Sequence, residues 1–182
     1  MSVARKLIEH GFDIHGQHLD HQRTALHWCS HKGATEMVEM LLSRGVDIDV
    51  SDRDCKTALH LAVEGGHFPV VQILLRNGAQ LESRNRFSNW PLYLAVEGGH
   101  YAIVEALIRQ GSRLNDCNIY LNRPLHRAVH ERFSRIVELL LIEGACINVS
   151  NSDMDTPLHL AVKARHPEVV KMLLEKGAKV NA

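Results

Sequence analysis

Apolar residues recur along this chain at a spacing that is typical of short helices. In five places a leucine is followed three residues later by a small residue, and residues at this spacing share one helix face. The small residue allows a neighbouring helix to approach closely. The pairs are Leu26 with Cys29, Leu59 with Ala62, Leu92 with Ala95, Leu125 with Ala128, and Leu158 with Ala161.

A second apolar pattern follows each of these pairs and predicts a second helix. Two adjacent aliphatic residues recur four positions later, as in Val70-Val71 followed by Leu74-Leu75, which marks an amphipathic helix. A glycine then follows, as a left-handed helix cap requires. The closing glycines are Gly45, Gly78, Gly111, Gly144 and Gly177. The polar stretch after each glycine is typical of a turn or short hairpin.

The whole unit repeats with a fixed period. Segments reading TALHWC, TALHLA, WPLYLA, RPLHRA and TPLHLA begin at Thr24, Thr57, Trp90, Arg123 and Thr156, each 33 residues after the last. One such unit cannot bury both faces of its short helices, whereas stacked neighbours can. The spacing therefore predicts a one-dimensional stack of helix–turn–helix units.

The period and the T-P-L-H-L-A signature resemble the ankyrin repeat over essentially the whole chain. The resemblance implies an all-α repeat protein, an ankyrin-repeat solenoid of stacked helix–turn–helix units joined by short β-hairpin loops. We expect a single domain over residues 1–182, with a partial repeat at 1–18 and repeats at 19–51, 52–84, 85–117, 118–150 and 151–182. The departures from the signature are Trp90 and Arg123 for threonine, Tyr93 for histidine, and Arg132 and Arg165 for glycine. Because the chain opens halfway through a repeat, we expect it to be part of a longer array.

Composition and charge exclude several classes of function. The 21 basic residues balance the 21 acidic ones, which argues against nucleic acid as the main ligand. The four cysteines form no C-x-x-C pair, so neither a zinc knuckle nor a disulfide framework is expected. A reducing intracellular compartment, cytoplasmic or nuclear, fits them better. The sequence contains no long apolar run, so neither a membrane span nor a signal peptide is predicted.

The 13 histidines raise the question of metal or catalytic chemistry. The resemblance assigns His27, His60, His126 and His159 to hydrogen bonds with backbone, and His67, His100 and His166 to the corner between helices. His15, His18 and His21 are spaced by three, but no carboxylate or thiolate completes a ligand set. No catalytic motif is present either. We therefore expect no metal, no cofactor and no enzymatic activity.

The resemblance implies a binding surface formed by the hairpin tips and by the exposed side of the first helices. Exposed aromatic residues beside arginines are typical of interface hot spots. The predicted protein-binding residues are Arg53, Lys56, Glu64, Arg84, Arg86, Phe87, Asn89, Trp90, Glu97, Ile119, Tyr120, Asn122 and His130. Two plainer readings remain: the charged residues pair with one another, and Trp90 fills the core where threonine is lost.

The predicted function is that of a protein–protein interaction scaffold, a recruiting or adaptor domain of a larger intracellular protein. The expected ligand is a protein or an extended peptide, bound by a monomer, with no nucleic-acid partner. The alternative is a regulatory module that occludes an enzyme or a transcription factor. The resemblance also raises asparagine hydroxylation at Asn115, Asn148 and Asn181, although the acidic residue common two positions earlier is absent.

Overall fold

The described part of the chain is built from pairs of short helices. The computed structural model describes residues 16–17 and 21–180, which contain ten α-helices in five consecutive pairs. In chain order they are α1 (Ala25–His31), α2 (Thr35–Ser43), α3 (Ala58–Glu64), α4 (Phe68–Arg76), α5 (Pro91–Glu97), α6 (Tyr101–Arg109), α7 (Pro124–His130), α8 (Ser134–Ile142), α9 (Pro157–Lys163) and α10 (Pro167–Glu175). The predicted all-α repeat of helix–turn–helix units is confirmed. The predicted half repeat around Leu7 lies outside the described residues.

A threonine and a histidine fix the start of the first helix in three of the repeats. Thr24 has an extended backbone, and its main-chain N–H donates to His27 Nδ1 at 3.1 Å. The threonine hydroxyl lies 2.8 Å from the same nitrogen. Such a cap satisfies N–H groups that have no partner inside the helix. The same main-chain contact joins Thr57 to His60 and Thr156 to His159.

The same histidines also connect neighbouring repeats. His27 Nε2 lies 3.0 Å from the carbonyl oxygen of Lys56, and His126 Nε2 lies 2.8 Å from that of Val149. A carbonyl can only accept, so Nε2 carries the proton and Nδ1 is left as the acceptor at the helix cap. These contacts confirm the predicted backbone role for these two histidines.

The corner between the two helices of a repeat is crowded, and glycine fits it best. A Cβ atom on Gly33, where φ is +69°, would lie 2.7 Å from Nδ1 of His67. The equivalent residue of the fourth repeat is Arg132, which holds the same left-handed conformation at φ 63°. The ring of His166 contacts Ser134 Oγ at 3.1 Å, whereas His67 contacts the carbonyl of His31.

The loops between repeats are turns organised by a buried polar residue. Asp52, which is 5% exposed, accepts hydrogen bonds at Oδ1 from the N–H groups of Asp54 and Lys56. Successive turns are then joined by main-chain hydrogen bonds, from Arg53 N to His21 O and from Ser152 N to Tyr120 O. No strand forms in the described residues; Arg23 alone is an isolated bridge residue.

The packing of the chain divides it into two units, Met1–Arg86 and Phe87–Ala182. Within each unit, first helices pack on first helices and second helices on second helices. The fully buried side chains include Leu41, Leu59 and Leu74 in the first unit and Leu92, Leu107 and Leu140 in the second. Leu173 is also fully buried, although it lies in the last helix pair of the described residues.

Candidate protein-binding surface

The turn before α7 carries three consecutive large apolar residues that remain accessible. Ile119 is 52% exposed, Tyr120 is 55% exposed and Leu121 is 50% exposed. We call these three residues the apolar tip. Residues 117–122, which contain it, include no charged side chain. The other turns carry charge at their ends, as in Arg53-Asp54 of the second repeat.

Asn118 holds the apolar tip in place. Its side chain is buried, and its Oδ1 accepts hydrogen bonds from Tyr120 N at 3.0 Å and from Asn122 N at 3.1 Å. The side chain of Tyr93, which replaces the repeat's usual histidine, forms a further hydrogen bond with Asn118. Burial raises the pKa of Tyr93 to about 12, so the phenol keeps its proton. The main-chain N–H groups of residues 118–122 thus all have partners within the chain, while the apolar side chains stay exposed.

Neighbouring turns extend the exposed apolar surface in both directions along the chain. Ile119 N donates to the carbonyl of Phe87 at 3.4 Å, and Phe87 is 41% exposed. On the other side, Ser152 N donates to the carbonyl of Tyr120 at 3.1 Å. The turn that contains Ser152 ends with Met154, which is 76% exposed. We call the five residues Phe87, Ile119, Tyr120, Leu121 and Met154 the apolar row.

Two members of the apolar row, Leu121 and Met154, were not predicted from the sequence. Both hold a left-handed backbone conformation, with φ of 55° and 61°. Glycine adopts this conformation at little cost, whereas bulkier residues are uncommon there. The signal that could have identified them is a large apolar residue at the turn position where the backbone favours glycine.

A charged cluster lies on the first helices of the third and fourth repeats. Arg127 forms ion pairs with Glu97 at 2.8 Å and with Glu131 at 3.2 Å. His130 Nδ1, in turn, lies 3.1 Å from a carboxylate oxygen of Glu131. The sequence predicted Glu97 and His130 but not Arg127. Arg127 was missed because it occupies a position at which three other repeats have leucine.

The predicted charged residues of the first unit are partly paired with one another. Lys56 contacts Glu64 at 2.8 Å, and Arg86 contacts Asp54 at 2.9 Å. Arg53 and Arg84 are exposed. The pairing between Lys56 and Glu64 is the plainer alternative that the sequence left open. It reduces the charge that this part of the surface offers to a partner.

Two predicted contact residues are buried, and the expectation for them is corrected. Trp90 is 0% exposed and Asn89 is 8% exposed. The Trp90 ring packs against Tyr93, with 5.6 Å between ring centroids and 47° between planes. The predicted Asn122 is half-buried, and its Oδ1 accepts a hydrogen bond from Asn151 Nδ2 at 3.0 Å. Trp90 replaces the threonine cap with aromatic packing, which the sequence had offered as the alternative.

Neither metal ligands nor a membrane-spanning helix is found in the part of the chain that the structure describes. Within residues 16–17 and 21–180, no group of three His, Cys, Asp or Glu side chains could hold a metal ion. His15 and His18 lie outside these residues. No described helix is long and apolar enough to cross a bilayer.

Comparison with known proteins agrees with the repeat seen in the structure. A family model described as ankyrin repeats (3 copies) matches residues 1–85, 51–118 and 92–182. No curated protein matches the chain. Ankyrin repeats generally bind other proteins and are typically not enzymes. The helix pairs recur with the period of the sequence repeat, and the family model matches the chain over all of its repeats. The chain therefore belongs to the ankyrin-repeat family.

Proposed function

We propose that this chain is a non-enzymatic protein-binding module that uses the apolar row as its contact surface. The observation that carries the proposal is the apolar tip, three consecutive large apolar side chains at least half exposed on one turn. In a larger intracellular protein, such a module recruits a partner. The cysteines are free thiols, in keeping with a reducing compartment.

The apolar tip is unfavourable for an isolated chain, which is why it supports a binding role. Scattered apolar residues are normal on a protein surface, but contiguous ones mark interaction sites more often than not. Interface cores are enriched in aromatic residues and depleted in charge. Residues 117–122 have both properties, since Tyr120 lies between two aliphatic residues and no charged side chain interrupts them.

The charges of the chain support a protein ligand over nucleic acid. Nucleic-acid affinity depends mainly on neutralising phosphates with clustered cations. Here several lysine and arginine side chains are paired with carboxylates, as are Lys56 with Glu64 and Lys163 with Asp155. An extended peptide or a protein loop with apolar side chains suits the apolar row better. We propose that the module binds it as a monomer.

The test is affinity capture with the whole chain and with the double variant Phe87→Ala/Tyr120→Ala. Both side chains are substantially exposed, so their removal should leave the fold intact. We expect the double variant to lose the proteins that the wild-type chain captures, with a drop in affinity of about 100-fold for a purified partner. Circular dichroism and the melting temperature check that the variant is folded.

Ile142→Ala is the matched control for this experiment. Ile142 is 63% exposed, but it lies at the end of α8 rather than on a turn of the apolar row. Its removal should leave capture unchanged. Capture that survives in the double variant and is lost in Ile142→Ala would place the binding surface on the second helices and contradict the proposal.

A further inference from the structure

The turn before each first helix holds a residue in the left-handed conformation, and in no described repeat is it glycine. The five residues are Gln22, Cys55, Ser88, Leu121 and Met154, with φ between 52° and 61°. For a residue with a Cβ atom this conformation is strained by contact with the carbonyl oxygen. In each of these turns, the residue in the left-handed conformation therefore carries a conformational cost that glycine would avoid.

Two of these residues carry large apolar side chains that the fold does not bury. Leu121 is 50% exposed and Met154 is 76% exposed. Neither the backbone conformation, which favours glycine, nor packing in the core explains why position 154 is a methionine. Strained backbone positions of this kind concentrate at binding sites, where the side chain has a use outside the fold.

The charges around these two residues define the partner that would fit them. Arg123 is turned back onto the chain, where its Nε donates to the carbonyl of Asn115 at 3.0 Å. Arg113 lies 3.8 Å from the carboxylate of Asp116. These two cations on either side of the apolar tip are thus directed at groups of the chain itself.

Asp153 differs from these groups. It is exposed beside Met154, and among residues 16–17 and 21–180 it forms no ion pair. Lys163 of the same repeat contacts Asp155 instead, at 2.6 Å. The uncharged apolar tip is thus followed, one turn later, by a single negative charge that is open to solvent. An opposite charge on a partner would complement it.

We infer that the apolar row, with Leu121 and Met154 among its contacts, binds an extended segment of a partner protein. In this segment the apolar residues are followed by a lysine or arginine that lies opposite Asp153. The inference rests on the proposed function, because it specifies the ligand of the same surface. An extended chain suits the row because apolar residues on three successive turns offer contacts at intervals. A membrane fits less well, since anionic lipid would be repelled by Asp153.

The probe is a set of peptides selected against the whole chain. A displayed library of random peptides of about 12 residues is suitable, since an extended chain of that length reaches roughly 40 Å. The enriched peptides are sequenced, synthesised with a fluorophore and titrated by fluorescence anisotropy. We expect them to share apolar residues followed by lysine or arginine.

Glycine substitutions separate binding from stability. Met154→Gly removes a mostly exposed side chain and the backbone strain together, so its melting temperature should be unchanged or higher by about 2–4 °C. In Leu121→Gly, strain relief offsets the loss of a half-buried side chain. Each substitution should nevertheless weaken binding of the selected peptides by about tenfold. Asp153→Asn should weaken it by about threefold and reduce its dependence on salt.

Cys55→Gly and Glu143→Gln are the matched controls. Cys55 occupies the same turn position in the first unit, at φ 58° and exposed, and Glu143 is an exposed acid at the end of α8. Neither change should alter peptide binding. Cys55→Gly tests whether glycine at this turn position is by itself enough to affect peptide binding. Glu143→Gln tests the same for the loss of one surface carboxylate.

Several outcomes would overturn the inference. Selected peptides that bind Leu121→Gly and Met154→Gly as tightly as the wild type would do so, as would acidic rather than basic peptides, or no enrichment at all. Binding to phosphatidylcholine–phosphatidylserine vesicles without peptide binding would assign the row to a membrane instead. If Phe87→Ala/Tyr120→Ala abolishes capture of a partner while the glycine variants retain it, the proposed function stands and the inference fails.

Discussion

At the scale of single residues, the histidine of the repeat signature combines two roles in one ring. In His27 the protonated Nε2 donates to the carbonyl of Lys56, while Nδ1 accepts from the N–H of Thr24. Addition of a proton at Nδ1 would convert this acceptor into a donor and remove the contact at the helix cap. Burial lowers the pKa of His27, although the hydrogen bond to Lys56 opposes the shift. Burial also lowers the pKa of His126, opposed by its hydrogen bond to Val149.

These two shifts predict that the protein is less stable in mild acid. The unfolded chain, whose histidines titrate near 6.5, binds more protons at these positions than the folded chain does. Their contribution to stability is therefore complete above that pH and is lost as the pH falls towards the lowered pKa values. Urea unfolding between about pH 7.5 and 5.5 should show a loss of at most about 1.4 kcal/mol per pH unit and per imidazole.

The variant His126→Gln provides the comparison for this prediction. It removes one of these two imidazoles and should make the free energy of unfolding less dependent on pH. An identical pH dependence in the variant and the wild type would show that His126 is not responsible.

At the scale of elements, the sequence predicted the helices well because one rule governs all five copies. Leucine and a small residue at the same spacing, followed by aliphatic pairs and a glycine, require the same helix pair in each repeat. The rule fails where a residue breaks the pattern. The substitution at Trp90 indicates that the threonine cap is lost, but it does not indicate whether the ring points inward. The structure shows it packed against Tyr93, another departure from the signature.

Because Trp90 is buried, its removal should be costly, whereas removal of the other tryptophan should not. Trp90→Ala should reduce the free energy of unfolding by about 3–5 kcal/mol through lost burial and a cavity. Trp28 is 41% exposed, with the Arg23 guanidinium 5.3 Å from its ring centroid. Trp28→Ala should cost about 1 kcal/mol. Urea unfolding followed by circular dichroism measures both, and equal losses would contradict the assigned burial of Trp90.

The binding surface was only partly predictable, for a reason that also lies in the elements. Phe87, Ile119 and Tyr120 were found because they are large apolar residues at turn positions. Asn89 was misjudged because its neighbours along the chain do not reveal that the residue is buried at the end of its turn. Leu121 and Met154 were missed because they lie at the left-handed position of the turn, which the resemblance did not place among the contact positions.

At the scale of the whole molecule, acidic and basic residues are equal in number, and several of them form local ion pairs. Several of these lie at the surface, as do Arg86 with Asp54 and Arg109 with Glu105. Such pairs contribute little to stability because solvent and salt screen them. The pair of Arg23 with Asp52 is different, since these side chains are 16% and 2% exposed and 3.0 Å apart.

This arrangement predicts a weak dependence of stability on salt. Raising the sodium chloride concentration from about 0.05 to about 0.5 M should change the free energy of unfolding by less than about 1 kcal/mol. Arg86→Met should cost less than about 0.5 kcal/mol, whereas Arg23→Met should cost about 1–3 kcal/mol because it leaves a buried carboxylate without its partner. Guanidinium would obscure the comparison by adding salt, so urea is the suitable denaturant. A strong salt dependence, or equal losses in the two variants, would contradict the arrangement.

The contacts between successive turns also bear on how this protein could change over evolution. Ser152 N to Tyr120 O and Ile119 N to Phe87 O join main-chain atoms, so the connection between turns does not depend on the side chains at these positions. The side chains of residues 119–121 can therefore vary together while the main-chain contacts of the turn stay the same. Replacing these three residues with a different tripeptide should give a chain that keeps the fold and binds a new ligand. Sequence changes in an antibody loop alter the antigen that is bound in the same way.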